Sequence, residues 1–209
     1  MIGSEDAARD YVASLCDASA MARLDRLVTA LGEENQRQNL IARATLSSVW
    51  QRHIADSAQL LEFVPHGTPL WLDLGSGAGM PGLIIAAMRP NWPVMLVESR
   101  RKRIDWLQRM RSEFELDQCR VAGARLENVE TTRADIISAR AFAPLKRILT
   151  LSARFSTSET LWLLPKGRSA AQELQELPKR QRALFHVEQS RTDSESGIVV
   201  GRLAGRKGP

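Results

Sequence analysis

The amino-acid sequence predicts an α/β protein, a doubly wound sheet preceded by an all-helical extension. Three observations carry that expectation. Leu70, Trp71, Leu72 and Leu74 form a short apolar run ahead of glycines at 75, 77, 79 and 82, which reads as a buried strand turning sharply into a helix. From residue 69 onward, strand-length apolar runs alternate with segments of helical spacing, the pattern of parallel strands joined by crossover helices. Before that point only the helical period occurs.

In the extension, Ala8, Tyr11, Val12 and Leu15 keep helical spacing, as do Leu24, Leu27, Val28 and Leu31. Gly32 is expected to end or loosen the second helix, although the polar stretch 33–39 offers an exposed face along which it could continue. Ser47 or Ser48 can cap a third helix carrying Val49, Trp50, Ile54, Ala58 and Leu61 on one side. Pro65 and Pro69 bracket the turn that ends it. The expected organisation is therefore a helical cap over 1–66, a sheet domain over 67–204 and a disordered tail over 205–209.

Within the sheet domain, Pro81 opens the first crossover helix, because a missing N–H costs nothing in a first helical turn, and Pro90 stops it. Residues 94–98 form the second strand, and Ile104, Leu107, Met110 and Phe114 mark the second helix. Strands follow at 119–122, 135–139 and 160–164, the last two separated by a helix through Ile148 and Leu151. Residues 169–177 are helical up to Pro178, and the runs 183–187 and 197–203 pair as an antiparallel hairpin.

The chain of 209 residues suffices for one domain with a sizeable core plus an appendage. No apolar stretch approaches a membrane span, and residues 1–6 lack the features of a signal peptide, so a cytoplasmic protein is expected. Cys16 and Cys119 lie far apart, in keeping with a reducing compartment, and no metal is expected. A net charge of +5 favours a phosphate-rich partner without proving one.

The bare glycine turn lets a nucleotide-bearing ligand lie against the chain. Gly77-x-Gly79-x-x-Gly82 fits the dinucleotide pattern, whereas Asp73-x-Gly75-x-Gly77-x-Gly79 sets an acid ahead of the glycines. A carboxylate there suits a ligand with a cationic amino-acid moiety, such as S-adenosylmethionine, better than a pyrophosphate. Glu98, closing the next strand, would accept both ribose hydroxyls of either ligand, so a nicotinamide-dependent oxidoreductase stays open at this point.

Further segments narrow the choice. Asn39-Leu40, Arg52-His53-Ile54-Ala55-Asp56-Ser57, the run from Asp73 to Gly82, Glu98-Ser99, Lys102-Arg103, Arg140-Ala141-Phe142-Ala143 and Lys166-Gly167 occur in this order. Together with the closing hairpin they resemble the class I S-adenosylmethionine-dependent methyltransferases, and within these the bacterial ribosomal RNA small-subunit methyltransferase G family (RsmG, also called GidB). The resemblance implies a Rossmann-like, seven-stranded, mostly parallel sheet whose last two strands are antiparallel. It implies S-adenosyl-L-methionine as cofactor, and methyl transfer to N7 of a guanine in the 530 loop of 16S ribosomal RNA in the small ribosomal subunit. It sets cofactor contacts at Gly75, Met80, Leu126, Glu127 and Arg140, beside Asp73, Gly77, Gly79 and Glu98. Ile41 is a departure, since a threonine or another small residue often follows Asn-Leu in the family.

Guanine N7 carries an exposed lone pair and attacks a sulfonium methyl without first losing a proton, so orientation rather than a base is the requirement. The chain accordingly lacks the Pro-Pro-Tyr/Phe and Pro-Cys motifs of other methyl transfers, and Arg140 and Phe142 stand in their place. Arg140 can meet the cofactor carboxylate or RNA, and Phe142 can stack on a base or sit in the core. His53 and Asp56, three apart, are expected with Arg140 as the catalytic group, the pair closing the site over the cofactor edge. Lys102, Arg103 and Lys166 are candidates for RNA phosphates, each with an ordinary solvated lysine or arginine as the alternative. A monomer is expected. Another RNA, a protein or a small molecule as methyl acceptor, and a non-catalytic RNA-binding module, remain as alternatives.

Overall fold

A computed structural model describes residues 1–65 and 67–203, so the expected tail at 205–209 lies outside the described residues. Seven strands form one sheet in the order β3-β2-β1-β4-β5-β7-β6. The apolar run at 71–74 is its central strand, β1 (Trp71–Leu74), parallel to β2 (Val94–Val97) on one side and β4 (Ile136–Ala139) on the other. β3 (Cys119–Ala122) and β5 (Leu161–Gly167) extend the parallel part. The expected hairpin is present as β6 (Phe185–Gln189) and β7 (Gly197–Gly201), with β7 antiparallel to both β5 and β6. β6 starts later than the sequence suggested, because Pro178 opens a helical turn, α8 (Lys179–Arg182), that takes up the intervening chain. Strand order reverses between β1 and β4, and a crevice opens there beyond the carboxyl ends of the strands.

Side chains alternate between the two faces of the sheet. Trp71, Leu96, Ile136 and Leu163 face α4 (Gly82–Met88) and α5 (Arg101–Glu113). Leu72, Leu74, Ile137, Trp162 and Leu164 face α6 (Leu145–Ser152) and α7 (Ala170–Gln175). The extension joins the first of these cores: Leu24, Leu27, Leu31, Ile54 and Leu60 are buried in the same cluster as Trp71. Each such side chain contributes about 1.5–3 kcal/mol on burial, which holds the extension against the sheet domain.

The extension begins as expected, with α1 (Glu5–Leu15) capped by Ser4 and α2 (Ala18–Glu34) capped by Asp17. Gly32 does not end α2, which runs on to Glu34. There Asn35 Oδ1 accepts the N–H groups of Leu40 and Ile41, folding the polar stretch back instead of continuing the helix. The third helix is irregular: a 3₁₀ turn Arg43–Ser48, a π turn Trp50–Ala55, one α turn, α3 (Asp56–Ala58), and a further 3₁₀ turn Gln59–Phe63. Neither Ser47 nor Ser48 caps it. Glu5 of α1 does so from a distance, its two carboxylate oxygens accepting Trp50 N–H and Gln51 N–H at 3.0 and 2.8 Å. No helix among the described residues is long and apolar enough to cross a membrane.

Candidate functional site

The glycine turn forms a cradle above β1. Gly75, Gly77 and Gly79 take positive φ angles of 65°, 56° and 101°, and Gly77 N–H donates to Glu98 Oε2 at 3.0 Å. A cavity of about 230 Å³ opens here, lined by Gly75, Glu98, Arg103, Leu126 and Phe142 among others. Glu98 Oε1 also accepts from Ser99 N–H and Arg100 N–H, at 2.7 and 2.8 Å. Each carboxylate oxygen has two acceptor sites. Oε2 therefore keeps one, and Glu98 has room for one hydroxyl where the sequence suggested two.

Asp73 lies one layer lower than expected. It is fully buried; Oδ1 accepts the Ser138 hydroxyl at 2.6 Å, and Ser138 Oγ in turn accepts Trp71 Nε1–H. Oδ2 has no hydrogen-bond partner among the described residues. Burial pushes its pKa up, outweighing the Ser138 hydrogen bond and the charge of Arg140. Asp73 is thus the floor of the turn, with one orphaned acceptor, and not an open wall of the cavity.

A second cavity, of about 680 Å³, lies between the extension and the sheet, lined by His53, Asp56, Arg140 and Phe142 among others. Here the structure brings together the three residues expected as a catalytic group. Arg140 Nη2 approaches His53 Nδ1 at 2.9 Å and Met80 Sδ at 3.3 Å, while Nη1 donates to Asp56 Oδ2 at 3.3 Å and the Arg52 carbonyl at 3.2 Å. Arginine only donates, so Nδ1 is the acceptor and the imidazole proton sits on Nε2. That proton meets Thr45 Oγ1 at 2.8 Å, and the Thr45 hydroxyl donates to the Ala42 carbonyl. Burial, then the charges of Arg140 and Arg52, push the His53 pKa down to about 3. His53 is a neutral, fixed acceptor behind Arg140, not a proton carrier.

The remaining expectations divide. Lys166 is not available to a phosphate: its side chain is 6% exposed, and Nζ donates to the Ala143 carbonyl at 2.6 Å and pairs with Glu173 at 2.9 Å. Burial opposes the charge on Glu173, but Lys166, Ser169 and the Leu145 N–H outweigh it and hold the carboxyl below the usual range. Arg103 turns toward the cradle, 3.9 Å from Glu98 Oε2, whereas Lys102 is exposed on the outer side beside Glu34 and Arg109. Leu126 is buried and lines the cradle; Glu127 is exposed and does not. Among the described residues no cluster of three His, Cys, Asp or Glu side chains could hold a metal.

Sequence reasoning did not single out Thr45, Thr192 or Asp193, and Arg52 entered only as part of the segment 52–57, with no role of its own. Thr192 Oγ1 donates to Asp56 Oδ1 across 136 residues of chain, and Arg52 pairs with Asp193 across 141. Separations of that size leave no local spacing to read.

Comparison with known proteins gives matches in sequence and in fold. The family model described as rRNA small subunit methyltransferase G (GidB) matches residues 20–197. A ribosomal RNA small subunit methyltransferase G of Erythrobacter litoralis is 60% identical over 202 residues, covering 97% of this chain and 98% of the relative. The protein of the same name from Novosphingobium aromaticivorans is 55% identical, covering 92% and 85%. Among solved structures, a SAM-dependent methyltransferase from Aquifex aeolicus superposes with a TM-score of 0.57 at 12% identity, covering 74% of this chain and 92% of that one. A precorrin-6y C5,15-methyltransferase from Geobacter metallireducens gives 0.53 at 12% identity, covering 80% and 92%. At such identities the two structures speak for the fold alone.

Proposed function

The chain belongs to the ribosomal RNA small subunit methyltransferase G family, and on that premise we propose that it transfers a methyl group from S-adenosylmethionine to N7 of guanine 527, in the 530 loop of 16S ribosomal RNA. The observation that carries the reading is the junction at Arg140, where the cap-side cavity meets the buried Met80 of the glycine turn. The cradle fits the cofactor. It has a buried acceptor without a partner in Asp73, a free acceptor site on Glu98 Oε2, and an apolar wall at Leu126. Glu98 would serve the ribose of either ligand, so it is Asp73 ahead of the glycines that counts against a dinucleotide.

When bound, the cofactor supplies an electrophilic methyl on a sulfonium sulfur. Glu98 would hold its ribose and Leu126 its adenine, over Gly75, Gly77 and Gly79, while Arg140 fixes its carboxylate. Four of the five Arg140 N–H bonds are directed by His53, Asp56, Arg52 and Met80, which leaves Nε–H for a ligand and pins the guanidinium in one orientation. Guanine N7 needs no base, and a neutral His53 supplies none. What the cap and loop 140–145 provide is alignment and exclusion of water. We assign base stacking to Phe142 and phosphate contact to Lys102. The same reading has the protein act as a monomer, in the cytoplasm and without a metal, on the small ribosomal subunit.

The test is chemical mapping of N7-methylguanine in 16S RNA from cells with and without the gene. Methylation at guanine 527 is expected only with the gene; methylation unchanged on deletion would overturn the proposed acceptor.

A further inference from the structure

The two cavities share a wall. The cradle and the cap-side cavity are both lined by Ala141 and Phe142. Ala141 holds a left-handed backbone, φ 52°, which side chains bearing a Cβ rarely adopt, and Lys166 clamps the Ala143 carbonyl two residues on. Held this way, the Phe142 ring lies on Gly75: a Cβ added to that glycine would stand 2.4 Å from Phe142 Cδ2. The bare face of Gly75 is the surface a nucleotide-bearing ligand requires, and the ring covers it. A methyl group cannot pass from the cradle to a base in the cap-side cavity while the ring stands between them.

We propose that Phe142 is a positioning residue that competes with the methyl donor for Gly75 and, once displaced, turns into the cap-side cavity to stack the target base. This rests on the methyltransferase reading above. Donor binding must displace the ring, and the displaced ring prepares the acceptor side, so each ligand strengthens binding of the other by the same factor. The Lys166–Glu173 pair keeps the rest of the loop still, so that ring rotation is the main adjustment.

The test uses S-adenosylhomocysteine and unmodified small ribosomal subunits as probes, with wild type, Phe142→Ala and Phe142→Tyr. Removing the competing ring frees the fraction of molecules in which Gly75 is covered. The alanine variant should bind S-adenosylhomocysteine tighter, by about threefold or more, while its kcat falls roughly tenfold with the lost stacking face. Saturating S-adenosylhomocysteine should raise the affinity of wild type for the subunits by a similar factor, and leave that of the alanine variant unchanged. Tyrosine should restore both effects. Weaker or equal binding of S-adenosylhomocysteine by the alanine variant, or subunit affinity in wild type that ignores it, overturns the proposal. Should wild type bind no S-adenosylhomocysteine at all, the methyltransferase reading fails with it; methyl transfer without coupling overturns the role of Phe142 alone.

Discussion

The glycine cradle and the cap-side cavity share a wall at Ala141 and Phe142 but are made of different material. The cradle is main chain, drawn from residues 73–82 with Glu98 bonded back to Gly77. The cavity is side chain: Thr45, Arg52, His53 and Asp56 from the extension, Arg140 and Phe142 after β4, and Thr192 and Asp193 from the hairpin loop. A site made of backbone is fixed by sterics, and damage to it is damage to the fold. A site made of side chains from distant segments can lose its chemistry while the fold stands.

Substitutions that separate these two modes sharpen the contrast. The largest effect is expected at Gly82, where an added Cβ would stand 2.4 Å from Leu96 Cδ2 and 2.6 Å from Asp73 Cβ. Gly82→Val should cost roughly 3 kcal/mol or more and lower the melting temperature with the activity. Arg140→Ala should do the reverse, cutting kcat/KM for subunit methylation about a hundredfold, with a much smaller change in melting temperature. A cavity mutant that unfolded like the glycine variant would erase the distinction.

Lys166→Met tests the boundary between the two. It leaves Glu173 partly buried without its cation, which should cost about 2 kcal/mol in urea unfolding, less than a fully buried pair because Glu173 is 18% exposed. Glu173→Gln beside it should recover part of the loss. An effect of similar size to the Lys166 loss is a pH slope. His53 has an ordinary pKa of 6.5 in the unfolded chain and about 3 in the folded one, so between these values the unfolded state holds the extra proton. Stability should therefore fall on acidification through that window, by about 1.4 kcal/mol per pH unit from this residue, and the deficit is absent above pH 6.5. Comparing wild type with His53→Gln at pH 7 and pH 5 isolates it: the glutamine variant should lose less.

The same contrast explains what could be read in the sequence. Asp73, the glycines and Glu98 lie close along the chain with strand and helix on either side, so both the fold and the cradle were legible there. Lys166 looked like a free lysine after a strand because its partner Glu173 enters only when α7 folds back beside it. The third helix looked regular because its cap is Glu5, brought by packing of α1 rather than by a neighbouring serine. Thr45 and Thr192 carried no pattern at all, since the bonds by which they hold His53 and Asp56 join residues that the fold brings together. The carboxylate Asp73 lies deeper than its place beside the glycines suggested, because its apolar neighbours mark a strand without saying how deep it runs.

The central claim is that a donor in the backbone cradle is aligned with purine N7 in the side-chain cavity, and replacing that one nitrogen tests it directly. Small subunits reconstituted with guanine at position 527 should accept one labelled methyl group from the donor in the presence of this protein. Subunits carrying 7-deazaguanine there, with a carbon in place of the nucleophile, should accept none. Equal incorporation into both would contradict the account.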